Sequence, residues 1–419
     1  MAIAIVGIGS AQQYTANDDS QLRLYIEEAL DRNPAVRQSF ARYQAALQRL
    51  PQVSSLPDPM FGVTQYLRTP ETRVGPQTTM LSLSQQFPWF GKLADREKIA
   101  AKEALMYHQQ HEAQRDEVVR QVKLAYYSLA FIDRSTLITE EDLSLLDHYE
   151  TLAQARYSQG MGLQQAVVKL QAEITRDRNR LEELKNMRVS TEAALNTLMD
   201  RPAQSPLVKV PLGTVPTVEV DYTALHEEAK RRRPEIQSAL LMIERDEKRV
   251  QLAKKNYWPD FTLGASMLNV EGRSDAAGRL NPPEQNGKNI FAVTAGVNIP
   301  IRRRKYDAAI LEASQDQIAS REAYRDVVNS TEGATRAIGF RIGTLADQIN
   351  LFEKTLLPQA EQALRSTEAA YSTGTLGVLD LLDSERVLLQ VRLGLAQYAS
   401  DYMKSLAEME RAIGAPFPR

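Results

Sequence analysis

The sequence predicts a mainly α-helical chain with a small β part, internally duplicated, and three observations predict it. Motifs return in order: Asn33-Pro34 as Arg233-Pro234, Pro57-Asp58-Pro59-Met60-Phe61 as Pro259-Asp260-Phe261, and Tyr157-Ser158-Gln159-Gly160 as Tyr371-Ser372-Thr373-Gly374. Gln86-Phe87-Pro88 with Gly91-Lys92 likewise returns as Asn298-Ile299-Pro300 with Arg304-Lys305. A repeat this long implies two similar units side by side rather than a solenoid of short repeats. Two stretches, 92–159 and 305–373, read as helices far longer than the few turns usual in globular proteins. Four short segments alternate apolar and polar residues with the strand period of two.

Composition narrows the function. The 419 residues carry 51 basic and 53 acidic side chains, so no charged field points to nucleic acid. There is no cysteine, which excludes a disulfide, a thiolate nucleophile and a Cys-ligated metal. No run of about 18 apolar residues offers a transmembrane helix. Ala2 to Ala11 reads as the end of a secretory signal with Gly9-Ser10-Ala11 as a cleavage site, making 1–19 a signal-peptide remnant and N-terminal tail.

The first repeat is expected over 20–200. Leu22, Ile26, Ala29 and Leu30, then Val36, Phe40, Tyr43 and Leu47, keep helical spacing on either side of Asn33-Pro34. Proline there predicts a short helix, a break and a second helix. Strands are expected at 59–68 and 79–87, where Leu81, Leu83 and Phe87 alternate with Ser82, Ser84 and Gln86. Such lengths suit a tilted strand crossing a bilayer. The polar loops 69–77 and 271–288 bring no element to cover an outward apolar face. The long helix 92–159 follows, with an interruption expected at Asp133 to Glu141, and then a return helix over 163–198. A Pro-rich linker over 201–221 reads as extended chain.

The second repeat is expected over 222–414, with strands 260–270 and 289–299, long helix 305–373 and return helix 378–413. Pro358 is expected to kink its long helix and Gly333, Gly339 and Gly343 to loosen it. Glycines at 160, 162, 374 and 377 break the helices where the chain reverses. The length of 163–198 plus 222–257 matches the long helix, as a cylinder of uniform height requires.

In its duplicated helix–hairpin–helix units, in Phe87-Pro88-Trp89-Phe90-Gly91-Lys92, and in the tips RYSQGMGL (156–163) and AYSTGTLGVLDLLD (370–383), the chain resembles the TolC family of outer-membrane efflux proteins across nearly its whole length. The resemblance implies a long α-helical coiled-coil barrel in the periplasm plus a transmembrane β-barrel in the outer-membrane lipid. It would have four strands per chain and twelve in a homotrimer. A periplasmic adaptor (membrane fusion) protein and an inner-membrane RND-type or ABC-type pump are the implied partners, and Phe-Pro-Trp-Phe-Gly-Lys leans toward the heavy-metal cation branch. The implied gate is Asp380 and Asp383, which share a helix face and would gather into a ring under threefold symmetry. Leu376 and Ala166 depart from the family's charged latch, so closure is expected to rest on Tyr371, Leu376 and Leu379. The implied adaptor contacts are Gly160, Met161, Gly162 and Leu163 with Gly374, Thr375, Leu376 and Gly377.

Three further features carry weaker signals. His108, His111 and Glu112 have metal-ligand spacing on a helix, although exposed helix histidines are far commoner and no metal site is assigned. Arg302 to Lys305 suits a headgroup level. Trp89 and Trp258 suit an aromatic girdle or core packing. No phosphate loop, nucleophile elbow or zinc-protease motif occurs. The function read from the sequence is therefore a passive, non-enzymatic exit duct for small molecules or metal cations, with no cofactor and no nucleic acid. A type I polypeptide secretion duct and a soluble periplasmic coiled-coil scaffold are the alternatives.

Overall fold

Helix dominates the order of elements. The computed structural model describes residues 20–417 apart from 214, 217, 219 and 220, so the expected signal remnant lies outside the described residues. The chain runs α1 (Ser20–Arg32), α2 (Pro34–Leu47), α3 (Arg49–Ser54), β1 (Met60–Gln65), β2 (Glu71–Thr72), β3 (Gly75–Phe87), α4 (Lys92–Ser158) and α5 (Gln164–Leu198). After the linker come α6 (Tyr222–Arg232), α7 (Pro234–Lys255), β4 (Phe261–Val270), α8 (Ala276–Leu280), β5 (Ile290–Val297) and α9 (Arg303–Leu351). A π segment, Phe352–Leu356, leads into α10 (Leu357–Ser372), and α11 is Val378–Ile413. Two compact units emerge, one from 20–41, 109–237 and 326–417, the other from 42–108 and 238–325.

The second unit holds the sheet. Its strands are antiparallel in the order β1-β3-β4-β5, with the two-residue β2 paired to β3. Residues paired across strands share a face, so the register sorts the side chains. Phe61, Leu83, Ala265 and Val293 form one row, and Val63, Leu81, Met267 and Phe291 the next on that face. Gly62, Ser82, Ser266 and Ala292 form a row of the opposite face. Among the described residues this apolar face is largely uncovered: Phe61 is 67% exposed, Phe291 76% and Val293 87%. Both edge strands, β1 and β5, also leave one side of their ladder unpaired. The polar loop 271–288 contains one short helix, α8, capped by Asp275 Oδ1 accepting from Gly278 N at 3.1 Å.

The first unit is helical. One cluster packs Leu22, Ile26, Val122, Tyr126, Leu129 and Leu195 from α1, α4 and α5. A second draws on Leu146, Leu170, Leu364 and Leu381, joining α4, α5, α10 and α11. Asn33 starts α2, its Oδ1 accepting from Ala35 N at 2.9 Å and Val36 N at 3.3 Å.

Two sequence expectations change here. The interruption at Asp133 to Glu141 is absent, because α4 is one helix of 67 residues. Asp133 is instead an anchor: it accepts from Arg188 Nε at 2.8 Å and from Val210 N at 2.8 Å, holding the linker down. α9 runs through Gly333, Gly339 and Gly343 as one helix to Leu351. The disturbance near Pro358 takes the form of the π segment just ahead of it, since proline cannot supply the next helical N–H. No described helix is long and apolar enough to cross a membrane.

Candidate functional site

The two helical turns meet as a pair of near-identical tips. Gly160 has φ 72° and Gly374 φ 79°, a left-handed conformation that ends α4 and α10 at little cost only in glycine. Their bonds repeat: Gly160 N donates to Tyr157 O at 3.0 Å and Gly374 N to Tyr371 O at 3.0 Å. Met161 N donates to Arg156 O and Thr375 N to Ala370 O, each at 2.9 Å. A Cβ at either glycine would meet nothing within 4 Å, so the turn demands glycine for its dihedral and leaves the space outside the tip open. Between the tips lies a cavity of about 300 Å³ lined by Arg156, Met161, Leu163, Tyr371, Leu376 and Asp380 among others.

The expected gate residues divide by environment. Asp380 and Asp383 are both exposed on the first turns of α11. Asp380 Oδ2 also accepts from Gly377 N at 3.1 Å, so this carboxylate caps its helix as well as facing solvent. Tyr371 is buried in the core of its own chain, 6% exposed, beside Val378 and Leu381. Leu376 and Leu379 remain 40% and 50% exposed. Ala166 packs against the same core. The remaining expected tip residues, Met161, Leu163, Thr375 and Gly377, lie on the exposed turns, and Gly162 is half-buried.

Arg156 was not singled out by the sequence, yet it ties the tips together. Its guanidinium lies 4.5 Å from the centre of the Tyr371 ring, and Nη2 donates to Ser372 O at 2.8 Å. The signal was present: the repeated Tyr-Ser-x-Gly is preceded by Arg156 in one copy and Ala370 in the other.

A second group missed by sequence reasoning sits deeper in this bundle. Asp142 of α4 lies within hydrogen-bonding reach of Asp177 of α5 and Glu385 of α11. One oxygen of each carboxyl is buried without a donor. Burial first, then Glu385, pushes the Asp142 carboxyl up to about 8. Burial and Asp142 push Asp177 up to about 7, and burial raises Glu385. Such a triad is held together only while it keeps protons. Around it, Arg180 bonds Asp177 at 3.4 Å, Arg386 bonds Glu173, and Tyr149 donates to Glu368.

In the sheet unit, the strands join their helices through a compact knot. Trp89 stacks on Trp258 with ring centres 5.0 Å apart and on Phe261 at 5.5 Å. Buried Lys92 donates from Nζ to Asp260 Oδ1 at 2.7 Å and to Trp258 O at 2.8 Å, while Trp89 N donates to Asp260 Oδ1 at 2.7 Å. The two tryptophans therefore pack on each other. The histidines find local partners: His111 Nδ1 is 2.9 Å from Ser39 Oγ, and the His108 ring packs on Tyr43.

A four-stranded path with one bare apolar face, joined to long helices that end in glycine tips, defines the class of membrane-embedded channel proteins built from helical hairpins. The chain belongs to the outer membrane efflux protein family, whose model matches residues 25–200 and 225–415. It is thus an outer membrane protein of efflux. It is similar to outer membrane protein TolC of Vibrio cholerae, 29% identical over 170 residues, covering 39% of this chain and 37% of that protein's length. It is also similar to nodulation protein T of Rhizobium leguminosarum bv. trifolii, 22% identical over 96% of this chain and 87% of that one. Among solved structures, the outer membrane protein VceC of Vibrio cholerae shares the fold with a TM-score of 0.76 and 20% identity, covering 95% of this chain and 97% of that chain.

Proposed function

We propose that this chain is the passive exit duct of a tripartite efflux system, working as a homotrimer. Its sheet stands in the outer membrane and its helices in the periplasm. The bare apolar face of the sheet, with both edges open, carries this reading. Lipid would cover the face, and neighbouring copies would close the edges into a barrel in which every backbone group is paired. A periplasmic adaptor would dock on the exposed turns at Gly160–Leu163 and Gly374–Gly377, and an RND-type or ABC-type inner-membrane pump would supply the energy.

Asp380 and Asp383 would form the constriction. Three copies would bring six carboxylates to one ring, favouring cations and hindering anions. Tyr371 would support that ring from behind through Arg156, while Leu376 would seal beside it. The cargo class is small molecules or metal cations. Fractionation tests the duct: recovery from outer-membrane fractions as a detergent-solubilised trimer that conducts ions in planar bilayers is expected. A soluble monomer would overturn the reading. Deleting the gene and scoring sensitivity to copper, zinc, cobalt, detergents and antibiotics assigns the cargo.

A further inference from the structure

Among the described residues the strand-to-helix knot occurs once, although the duplicated sequence encodes its halves twice. Inside the chain, the segment that follows the first repeat's strands supplies Trp89 and Lys92, and the segment that leads into the second repeat's strands supplies Trp258, Asp260 and Phe261. The remaining halves are the segment that leads into the first repeat's strands and the segment that follows the second repeat's. Aligning the Pro-Asp and Gly-Lys/Arg-Lys motifs places Leu56 where Trp258 stands, Asp58 where Asp260 stands, and Lys305 where Lys92 stands. These halves flank β1 and β5, the two open edges of the sheet.

Each half is poised but empty-handed within its own chain. Leu56, Ile299 and Ile301 are exposed apolar side chains at the two halves. Asp58 is exposed and has no ion pair among the described residues. The Lys305 ammonium lies 5.9 Å from the adjacent Tyr306 ring and has no ion pair among the described residues. A second observation supports the correspondence. The internal knot has another pair, Lys255 Nζ to Asp95 Oδ2 at 2.6 Å, and the matching positions are Val53 and Ala308. Both charges have been replaced together, so neither half is left with a lone buried ion.

We propose that Asp58 of one copy pairs with Lys305 of the next, in a knot that repeats between subunits the Asp260–Lys92 joint found within the chain. Leu56 fills the place of Trp258 and, counted from Pro300 as the match of Pro88, Ile301 fills that of Trp89, and the pair fixes the register in which β5 of one copy meets β1 of its neighbour. A one-residue slip would turn every lipid-facing side chain inward, so a charged pin at this point has structural value. Arg302, Arg303 and Arg304 keep the β5 flank positive, which repels a second such flank and favours the one that carries Asp58.

This inference rests on the trimer reading, and the test separates the two. Because the chain has no cysteine, two introduced thiols report alone. The full-length Asp58→Cys/Lys305→Cys protein, in outer-membrane fractions treated with a short bis-maleimide, should give a covalent dimer and trimer ladder on denaturing gels. Asp58→Cys/Glu312→Cys should give none, since Glu312 lies about two helical turns further along α9. The charge exchange is the second arm: Asp58→Lys and Lys305→Asp alone should each lose trimer in mild detergent, and together regain it. A protein that sizes as a trimer yet shows no 58–305 ladder, or whose exchanged pair fails to regain assembly, overturns the knot while leaving the trimer standing. A protein that sizes as a monomer before any substitution overturns both.

Discussion

The two tips of the helical unit share a backbone and differ in charge. Gly160 and Gly374 adopt the same left-handed turn and the same two backbone bonds. Beyond the turn the first tip continues as Leu163-Gln164-Gln165-Ala166, and the second as Val378-Leu379-Asp380-Leu381-Leu382-Asp383. Duplication thus supplied the shape twice, and later divergence placed the acids on one copy and the clamping Arg156 on the other. Geometry common to both tips belongs to architecture, and what differs between them is the candidate for gating.

The largest expected effect separates the tips directly. Replacing Asp380 and Asp383 together by alanine should raise single-channel conductance several-fold at neutral pH and weaken cation preference, whereas Gln164→Ala with Gln165→Ala should change neither. Bilayer recordings that show equal effects at both tips would erase the functional distinction.

Next comes pH. The folded chain holds protons on Asp142 and Asp177 that the unfolded chain has already lost above their ordinary value of 3.8. The folded state binds more protons in that window, so the triad's contribution falls as pH rises from about 4 through about 8. The groups facing it, Arg180, Glu173, Arg386, Tyr149 and Glu368, set the size of the change. Thermal unfolding across this range should show a declining midpoint in the wild type and a shallower slope in Asp142→Asn. An identical slope in the variant would remove the triad from the account.

Smaller and equal effects are expected at the two glycines. Gly160→Ala and Gly374→Ala should each destabilise by about 1–2 kcal/mol, the cost of a side chain in the left-handed region. Unequal losses in denaturant titrations would mean that the turns are less alike than their hydrogen bonds suggest. The smallest change is Arg156→Ala, about 1 kcal/mol for a cation–ring contact and one carbonyl bond. Hydrogen exchange at Tyr371 to Thr373 should rise in that variant while the Tyr157 to Gln159 segment stays as it was.

Legibility in the sequence followed periodicity. The strands were readable because Leu81, Leu83 and Phe87 keep period two, and α4 because 67 residues pass without proline or glycine. Elements with no period of their own escaped: β2 is two residues long, and α8 is a single turn inside a polar loop. The acids of the α11 turn were visible as a spaced pair near a glycine. Asp142, Asp177 and Glu385 were not, because they come together from three helices and each alone reads as a surface acid. Asp133 misled for a related reason. A charged stretch resembles a break until its partners, Arg188 and the Val210 amide, are in place.

The π segment ahead of α10 acts as a phase shifter for the second tip. A π turn accommodates one more residue than the α-helix around it, and the Phe352 ring finds room there against Gly394, where a Cβ would lie 2.9 Å from Cε1. Each residue of helix advances its faces by about 100°. Deleting one residue from Phe352–Leu356 would leave the sixteen residues of α10 intact but rotate them by that amount, carrying Tyr371 away from Arg156 and out of the core. The aim of the second tip is therefore set some fifteen residues upstream of Tyr371, by the local pitch of a helix rather than by any residue at the tip itself.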